Sequence, residues 1–230
     1  MISKEACYYS FSRSSRILIS MSDTLTSISS IIVLLMSVVV HEVSHGYAAL
    51  AFGDHTAEVA GRLTLNPLKH IDPIGSILVP GILILSGAPF PFGWARPVPY
   101  NERNLSNQRW GTLFVASAGV IANFAIAIVF GIIFRLGVGS GIANEGFIYI
   151  VSIIILANIG LGIFNLMPVP PLDGSKILFS ILPPQFRGVR NFLESYGLFL
   201  VLILMFFLWK YDFISPLIRF LYTTLTGVII

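Results

Sequence analysis

Residues 41–45, with the sequence HEVSH, combine side chains that could bind a metal ion and move a proton. His41 and His45 are four residues apart, so a helix would project both imidazoles from one face, about 40° apart, where they can bind the same ion. In an HExxH pattern the two imidazoles bind zinc, while the carboxylate between them stays off the metal and takes a proton from the attacking water. The motif therefore predicts a zinc site, with one ion per chain and Glu42 as the general base.

The motif interrupts an apolar run, residues 31–52, that approaches the length of a membrane-spanning helix. An ionisable side chain deep in such a helix costs roughly 2.5 to 3.5 kcal/mol on insertion scales, so three of them within five residues need compensation. A bound divalent cation would provide it. The alternative is a helix whose histidines only form hydrogen bonds inside a helical bundle, and the crowding of three ionisable groups favours the metal site.

The composition is that of an integral membrane protein. Of 230 residues, 55% are hydrophobic and only 11% are charged, whereas soluble domains average about 25% charged residues. We expect an all-α polytopic fold with about four to five transmembrane helices, surrounded by the lipid bilayer. The net charge of +3 is spread along the chain without a basic stripe, so we expect no nucleic-acid partner. Cys7 is the one cysteine, which excludes an internal disulfide and a cysteine-based zinc site.

Long apolar segments separated by helix-stopping residues define the predicted helices. Their approximate limits are residues 24–52, 110–136, 147–167 and 192–209. Between the first two lies a shorter apolar run, residues 74–87, which Pro80 and Gly81 interrupt. A run of about a dozen residues is too short to span a bilayer, so we expect a re-entrant or interfacial segment there. Short strand-like pieces are predicted on either side of it, at residues 62–65 and 97–101.

The two ends of the chain are less informative. Residues 1–23 form a predicted N-terminal tail, for which two interpretations stay open: an ordinary basic tail, or a stretch upstream of a true start at Met21. Residues 24–209 form the predicted membrane-embedded core. The sequence does not decide whether residues 210–230 span the membrane or lie at its surface.

A catalytic zinc site normally has three protein ligands and a fourth position open to water. In soluble metalloproteases with this motif a third histidine follows six residues after the second, but Ala51 occupies that position here. His55 and His70 lie in predicted polar loops, and His55 could reach the ion only if the helix broke and folded back. Asp173 follows a membrane helix directly, within LMPVPPLDGS, and by elimination it is the best candidate for the third ligand.

The number of membrane crossings provides a check on this choice. The two helices before Asp173 cross the membrane out and back, so Asp173 returns to the side of His41 and His45 only if residues 74–87 turn back rather than cross. Loops on that side are basic, with five Lys or Arg residues in 53–109, whereas the opposite connection has none. By the positive-inside rule, we expect a multi-pass protein of the cell membrane whose active site lies toward the cytoplasm.

HEVSH in a membrane helix, together with NLMPVPPLDG at the end of a later one, resembles the site-2 protease family of intramembrane zinc metalloproteases. The similarity extends from about residue 34 to residue 182 and includes the stretches GDHTA, GRLTLNPLKHIDPIG, FGWARPVPYN and AGVIAN. These features resemble the short bacterial branch, which lacks a PDZ or CBS domain. Two positions depart from the family pattern, because His55 and Val120 stand where the family usually has proline. Neither is a proposed ligand.

The resemblance implies the same metal ligands, His41, His45 and Asp173, and the same base. It also implies that Asn165 and Asn123 bind the substrate, although for Asn165 a structural role in capping the preceding helix stays open. The implied activity is that of a zinc-dependent endopeptidase that hydrolyses peptide bonds in or near transmembrane segments of membrane-anchored proteins. The alternative is a non-proteolytic membrane metal-binding protein or transporter, for which more ionisable groups across the membrane would be expected. The oligomeric state is left open.

Overall fold

The computed structural model describes residues 23–87 and 93–230, and every regular element in these ranges is helical. The α-helices are α1 (Asp23–Ala51), α2 (Thr56–Val59), α3 (Val79–Leu85), α4 (Gln108–Gly139), α5 (Glu145–Asn165), α6 (Asp173–Ile181), α7 (Arg187–Tyr211) and α8 (Ser215–Thr226). Four of them, α1, α4, α5 and α7, are long and apolar enough to cross a membrane. The predicted all-α, multi-pass membrane fold is confirmed. The predicted tail at residues 1–23 lies, apart from Asp23, outside the described residues.

Asparagine side chains set the starts of two long helices. Asn107 accepts a hydrogen bond from the Trp110 N–H (3.0 Å) before α4, and Asn144 accepts one from the Phe147 N–H (2.9 Å) before α5. Each bond satisfies a backbone donor that the first turn of a helix leaves free. α5 ends at Asn165, where a proline-rich turn that cannot continue a helix begins. The four long helices begin and end within five residues of their predicted limits.

Helices α1, α4 and α5 form the core of the bundle, and glycines let them approach closely. A Cβ on Gly137 would lie 2.6 Å from the Phe147 ring, and a Cβ on Gly162 would lie 2.9 Å from the Phe124 ring. Such close packing matters in a membrane, because apolar side chains gain little by leaving lipid for a protein interior. Ile155 of α5 is fully buried in the apolar cluster that joins α4, α5 and α8.

The C-terminal helix, α8, is short. Its 12 residues extend about 18 Å, less than the roughly 30 Å of bilayer hydrocarbon. It is fixed to α5 by the Tyr222 hydroxyl, which lies 2.7 Å from the Ser152 hydroxyl. Arg135 of α4 donates to the carbonyls of Thr224 and Leu225 in the last turn of α8 (2.6 and 2.7 Å). The helix alone does not span a bilayer, and whether the C-terminal segment is membrane-spanning or interfacial stays an open prediction.

The loop between α1 and α4 leaves from and returns to the same end of the bundle. The Ser106 N–H donates to the Phe52 carbonyl (2.8 Å), which places the start of α4 beside the end of α1. Within the loop, the apolar run forms a π-helical turn, Pro73–Leu78, followed by α3. The Trp94 side chain packs on Gly75, and the main-chain N–H of Trp94 donates to the Gly75 carbonyl (3.1 Å). The chain that follows the apolar run therefore returns to the beginning of that run. Its re-entrant position in a membrane stays a prediction.

The strand-like pieces predicted at residues 62–65 and 97–101 form no β-ladder in the described ranges, so the strand prediction was wrong. Alternation over only four residues cannot distinguish a strand from an extended loop. A side chain joins the two pieces instead of main-chain pairing. The Arg62 guanidinium donates to the carbonyls of Arg96 and Pro97 (2.7 and 3.2 Å).

Candidate metal centre

Three potential ligand atoms meet between α1 and α6. The Nε2 atoms of His41 and His45 lie 3.0 Å apart, and the Asp173 Oδ2 atom lies 3.0 Å from the first and 3.1 Å from the second. The three residues are only 5%, 7% and 6% exposed. Helical spacing places the histidines on one face of α1, and Asp173 arrives as the first residue of α6. The group could hold a metal ion.

Helix α4 fixes the other nitrogen of each imidazole. The Nδ1 atom of His45 lies 2.6 Å from the Val115 carbonyl, which can only accept, so Nδ1 carries the hydrogen. The Nδ1 atom of His41 donates in the same way to the Asn123 Oδ1 atom (2.6 Å). Both rings therefore turn their Nε2 lone pairs toward Asp173. Metal-binding histidines commonly donate their second nitrogen to a carbonyl or carboxylate in this manner.

No placement of hydrogens satisfies all three contacts of this triangle. With a hydrogen on one Nε2 only one of its two contacts is satisfied, and hydrogens on both would oppose each other across 3.0 Å. Within the described residues, the buried Asp173 Oδ2 atom has no hydrogen-bond partner, and an unpaired buried carboxylate is costly. A cation bound by all three atoms removes the conflict. Tetrahedral zinc with bonds of about 2.0 to 2.1 Å separates its ligands by about 3.3 Å, so the donor set fits zinc.

Glu42 lies beside this group but is not part of it. Its Oε2 atom accepts a hydrogen bond from the Val98 N–H (2.9 Å). Val98 directly follows the two carbonyls to which the buried Arg62 guanidinium donates. The Glu42 carboxylate is thereby held by the loop that precedes α4. A carboxylate has about four acceptor positions, so one such bond leaves it able to accept a proton.

Two glycines make room for the candidate ligands. A Cβ on Gly119 of α4 would lie 2.6 to 2.7 Å from three ring atoms of His41. A Cβ on Gly174 would collide with the main-chain carbonyls of Leu166 and Met167, at the turn that delivers Asp173. Non-bonded carbon atoms normally approach to about 3.5 to 4.0 Å. Neither position has room for a Cβ atom, so both require glycine.

The other predicted site residues lie outside the metal group. Asn165 ends α5, and its amide donates to the Leu161 carbonyl one turn earlier within the same helix (3.0 Å). Its substrate-binding role stays a prediction. Asn123 is fully buried behind a candidate ligand, so the geometry gives no support to a contact with substrate. His55 is exposed and pairs with Glu58 (2.7 Å), as expected for a surface residue.

His70, which the sequence predicts to lie in a polar loop, is fully buried. Its Nε2 atom donates to the Thr64 carbonyl (2.9 Å), and its own carbonyl accepts from the Arg96 N–H (2.8 Å). His70 therefore links the two loop segments that meet near Glu42. A single sequence gives no signal that separates a buried loop histidine from an exposed one.

Asp54 fixes the same loop to the end of α1. This buried carboxylate accepts hydrogen bonds from the Thr56 N–H and hydroxyl, the Asn101 N–H (2.7 Å) and the Asn104 amide (2.9 Å). Burial alone would raise the pKa of Asp54, but these donors outweigh it and hold the pKa below its ordinary value of 3.8.

A recess of about 750 Å³ opens between α4, α6 and α7. Ser175 and Lys176, which follow Asp173 by two and three residues, line it. The Lys176 ammonium lies 5.2 Å from the centre of the Tyr100 ring. Burial lowers the pKa of Lys176, but attraction to Tyr100 and Asp173 outweighs this effect, so the pKa lies above its ordinary value. The recess therefore lies immediately beside the helix that carries the third candidate ligand.

Apolar helices long enough to cross a membrane, together with a buried group that could hold a metal ion, agree with a membrane metallopeptidase. The model of peptidase family M50 matches residues 132–207. A relative from Bacillus subtilis, named "Putative zinc metalloprotease YwhC", is 38% identical over 192 residues, which cover 81% of this chain and 80% of the relative. The chain therefore belongs to peptidase family M50, the site-2 protease family, and the predicted family is confirmed.

More distant relatives come from mycobacteria. "Putative zinc metalloprotease Rip2" of Mycolicibacterium smegmatis is 32% identical over 184 residues, covering 74% of this chain and 64% of the relative. Rip2 of Mycobacterium tuberculosis is 28% identical over 177 residues, covering 74% of this chain and 63% of the relative. The chain thus spans slightly less than two thirds of the length of the Rip2 proteins. No solved structure matches it.

Proposed function

We propose that this chain is a zinc-dependent intramembrane endopeptidase that hydrolyses peptide bonds in or near transmembrane segments of membrane-anchored proteins. The observation that carries the proposal is the convergence of His41, His45 and Asp173 on one point inside a bundle of membrane helices. Membership of a peptidase family supports the reaction type. His41 lies ten residues before the end of α1, about 15 Å along the axis, which supports a site below the membrane surface.

The three convergent side chains would hold one zinc ion per chain. Bound there, zinc supplies a Lewis acid that makes water nucleophilic near neutral pH. The protein's own contribution is to direct the lone pairs. Val115 and Asn123 bind the Nδ1 atoms of the two imidazoles, so the Nε2 atoms cannot turn away from Asp173 without losing buried hydrogen bonds.

Glu42 would act as the general base. Its carboxylate accepts a proton from the attacking water and returns that proton to the leaving amine nitrogen. The Val98 N–H holds the carboxylate, and Arg62 holds the segment that contains Val98. Correct positioning of the base therefore depends on the loop as well as on α1.

A substrate helix must unwind before it can be cleaved, because its peptide bonds are enclosed in internal hydrogen bonds. Residues 93–100 have no helical structure and reach Glu42 through Val98. We propose that an unwound substrate segment lies alongside these residues, with main-chain pairing of the kind seen in strand addition. Asn165, close in sequence to the turn before Asp173, would contribute to positioning the segment.

The site would face the cytoplasm. The end of the bundle at which α4 begins carries Arg109, Lys176 and Arg190 around the recess beside α6. The connection between α4 and α5 at the opposite end has no Lys or Arg. This asymmetry supports a cell-membrane protein oriented by the positive-inside rule.

The test compares Glu42→Gln with the control Glu58→Gln, whose carboxylate is exposed and pairs with His55. Purified protein is reconstituted in liposomes with a panel of single-span peptides, and the products are identified by mass spectrometry. Glu42→Gln should retain zinc and lose cleavage by at least about 10²-fold, whereas Glu58→Gln should cleave normally. The same sequences offered as soluble peptides should be cleaved less well, if transmembrane segments are the true substrates.

Two results would contradict the proposal. Undiminished cleavage by Glu42→Gln would remove Glu42 as the base. Zinc movement across the liposome membrane without any peptide product would favour the transporter instead.

A further inference from the structure

We propose that Asn158, on α5, is a positioning residue for the metal site. It orients Asn123 so that an amide oxygen, and not an amide nitrogen, faces His41. This inference rests on the proposed zinc site. Asn158 is not among the three convergent ligands, and its hydrogen bonds run to Ser37, Asn123 and the Ile154 carbonyl.

The orientation of Asn158 follows from two neighbours that can only accept. Its amide nitrogen lies 2.9 Å from the Ile154 carbonyl, which has no hydrogen to give. The same nitrogen lies 2.9 Å from the Ser37 hydroxyl oxygen. That hydroxyl already donates its hydrogen to the Val33 carbonyl (2.8 Å). Both contacts require Nδ2 of Asn158 at this position, so its Oδ1 atom must point the other way.

The orientation of Asn123 follows from that of Asn158. The Asn158 Oδ1 atom lies 2.8 Å from the Asn123 amide nitrogen, which donates to it. Asn123 is therefore left with its oxygen toward the Nδ1 atom of His41, at 2.6 Å. That oxygen requires a hydrogen on Nδ1, and an imidazole with its hydrogen on Nδ1 presents a bare Nε2. The reversed amide would place the hydrogen on Nε2 and block metal binding.

Burial makes this chain of hydrogen bonds rigid. Asn123 and Asn158 are both fully buried, and Ser37 is 5% exposed. Water cannot replace a lost partner at such positions, so each amide keeps the one orientation that satisfies all its neighbours. The chain begins on α1 at Ser37, passes through α5 and α4, and returns to α1 at His41, one turn later. Helix α5, which carries none of the three candidate ligands, thereby controls which nitrogen of His41 carries the hydrogen.

The experiment measures the zinc dissociation constant in two backgrounds. With Asn123 present, Asn158→Leu removes the acceptor that orients the amide, and zinc should bind about 10- to 100-fold more weakly. In an Asn123→Asp background, an oxygen faces His41 in either orientation of residue 123. Adding Asn158→Leu should then cause no further loss. A purely structural role of Asn158 would weaken zinc binding equally in both backgrounds, which would overturn the proposal.

Two further measurements keep the result unambiguous. Ser152 lies on α5, the helix that carries Asn158, and its hydroxyl forms a partly buried hydrogen bond with the Tyr222 hydroxyl. Tyr222→Phe removes this bond and should lower the Tm while leaving the zinc dissociation constant unchanged. The absorption spectrum of the cobalt-substituted protein should change with Asn158→Leu alone and return to that of the Asn123→Asp background in the double variant. If Asn158→Leu does not fold, Asn158→Ala, which also removes the acceptor, should weaken zinc binding only where Asn123 is present, and equal loss in both backgrounds would overturn the proposal. Failure of the unmodified protein to bind zinc would instead refute the proposed function.

Discussion

Replacing Gly119 with alanine should weaken zinc binding without unfolding the bundle. The added methyl group would lie 2.6 to 2.7 Å from the Cε1, Nδ1 and Nε2 atoms of His41, so the ring would have to move by roughly 1 Å to reach a normal contact distance. The ring cannot move freely while the site is assembled. Its Nδ1 atom is bound to Asn123 at 2.6 Å, and its Nε2 atom lies 3.0 Å from Asp173.

The magnitude follows from the cost of overpacking. Forcing a methyl group into a filled site typically costs about 1 to 3 kcal/mol. If this cost falls on the zinc-bound state, the dissociation constant should rise by about 5- to 140-fold, since each 1.4 kcal/mol is a factor of ten. Without zinc the imidazole is held by the Asn123 bond but not by a metal ion, so the stability of the metal-free protein should change less than the affinity.

The assay is competition for zinc with a chelator of known affinity, paired with thermal unfolding of the metal-free protein. Gly160→Ala is the matched control, because Gly160 lies within α5 and a Cβ there would have no atom within 4 Å. It should leave the zinc affinity unchanged. Zinc binding by Gly119→Ala with the affinity of the unmodified protein would refute the steric argument. A large loss of metal-free stability would instead indicate a general packing defect.

Two further predictions concern the loop that holds Glu42. Arg62→Met should lower kcat for peptide cleavage by about 10- to 100-fold, the range expected for hydrogen bonds from a charged donor, and should leave the zinc affinity unchanged. Arg103→Met, at an exposed arginine, is the control and should cleave normally. A loss of zinc affinity as large as the loss of kcat would contradict the argument. Asp54→Asn should lower the free energy of unfolding at pH 7 by roughly 1.5 to 3 kcal/mol. Because the folded state lowers the pKa of Asp54 below 3.8, this contribution is complete above about pH 4 and is lost as the pH falls further. The Tm values of Asp54→Asn and the unmodified protein should therefore converge in acid, and a constant difference between pH 7 and pH 3 would count against the prediction.

The features predicted correctly from the sequence are those set by local chemistry. The spacing of His41 and His45 places them on one helix face in any α-helix, and the long apolar runs define membrane helices without further information. Elimination of the other candidates and the number of membrane crossings predict Asp173 as the third ligand. The structure places its carboxylate beside both imidazoles because the loop returns, through the bond from Ser106 to Phe52, to the end of the bundle it left.

The features that were missed depend on contacts between distant segments. His70 looks like an ordinary loop residue until residues 62–70 and 94–98 are packed together. The strand prediction at 62–65 failed because Arg62 joins the two pieces through its side chain. For Asn158, however, a signal was available. A polar residue inside a strongly apolar helix marks a functional position by default, and Asn158 lies in the middle of α5.

The membrane setting explains why the polar residues around the site come as a connected chain. In a water-filled cleft, a solvent molecule can replace a missing hydrogen-bond partner, so each ligand can be supported separately. Inside a helical bundle in lipid, every buried donor and acceptor must be satisfied by protein. The hydrogen on His41 therefore requires Asn123, whose amide requires Asn158, whose amide requires Ser37. This series of hydrogen bonds ends only at main-chain carbonyls. Three helices must therefore be assembled before the His41 imidazole is ready to bind metal.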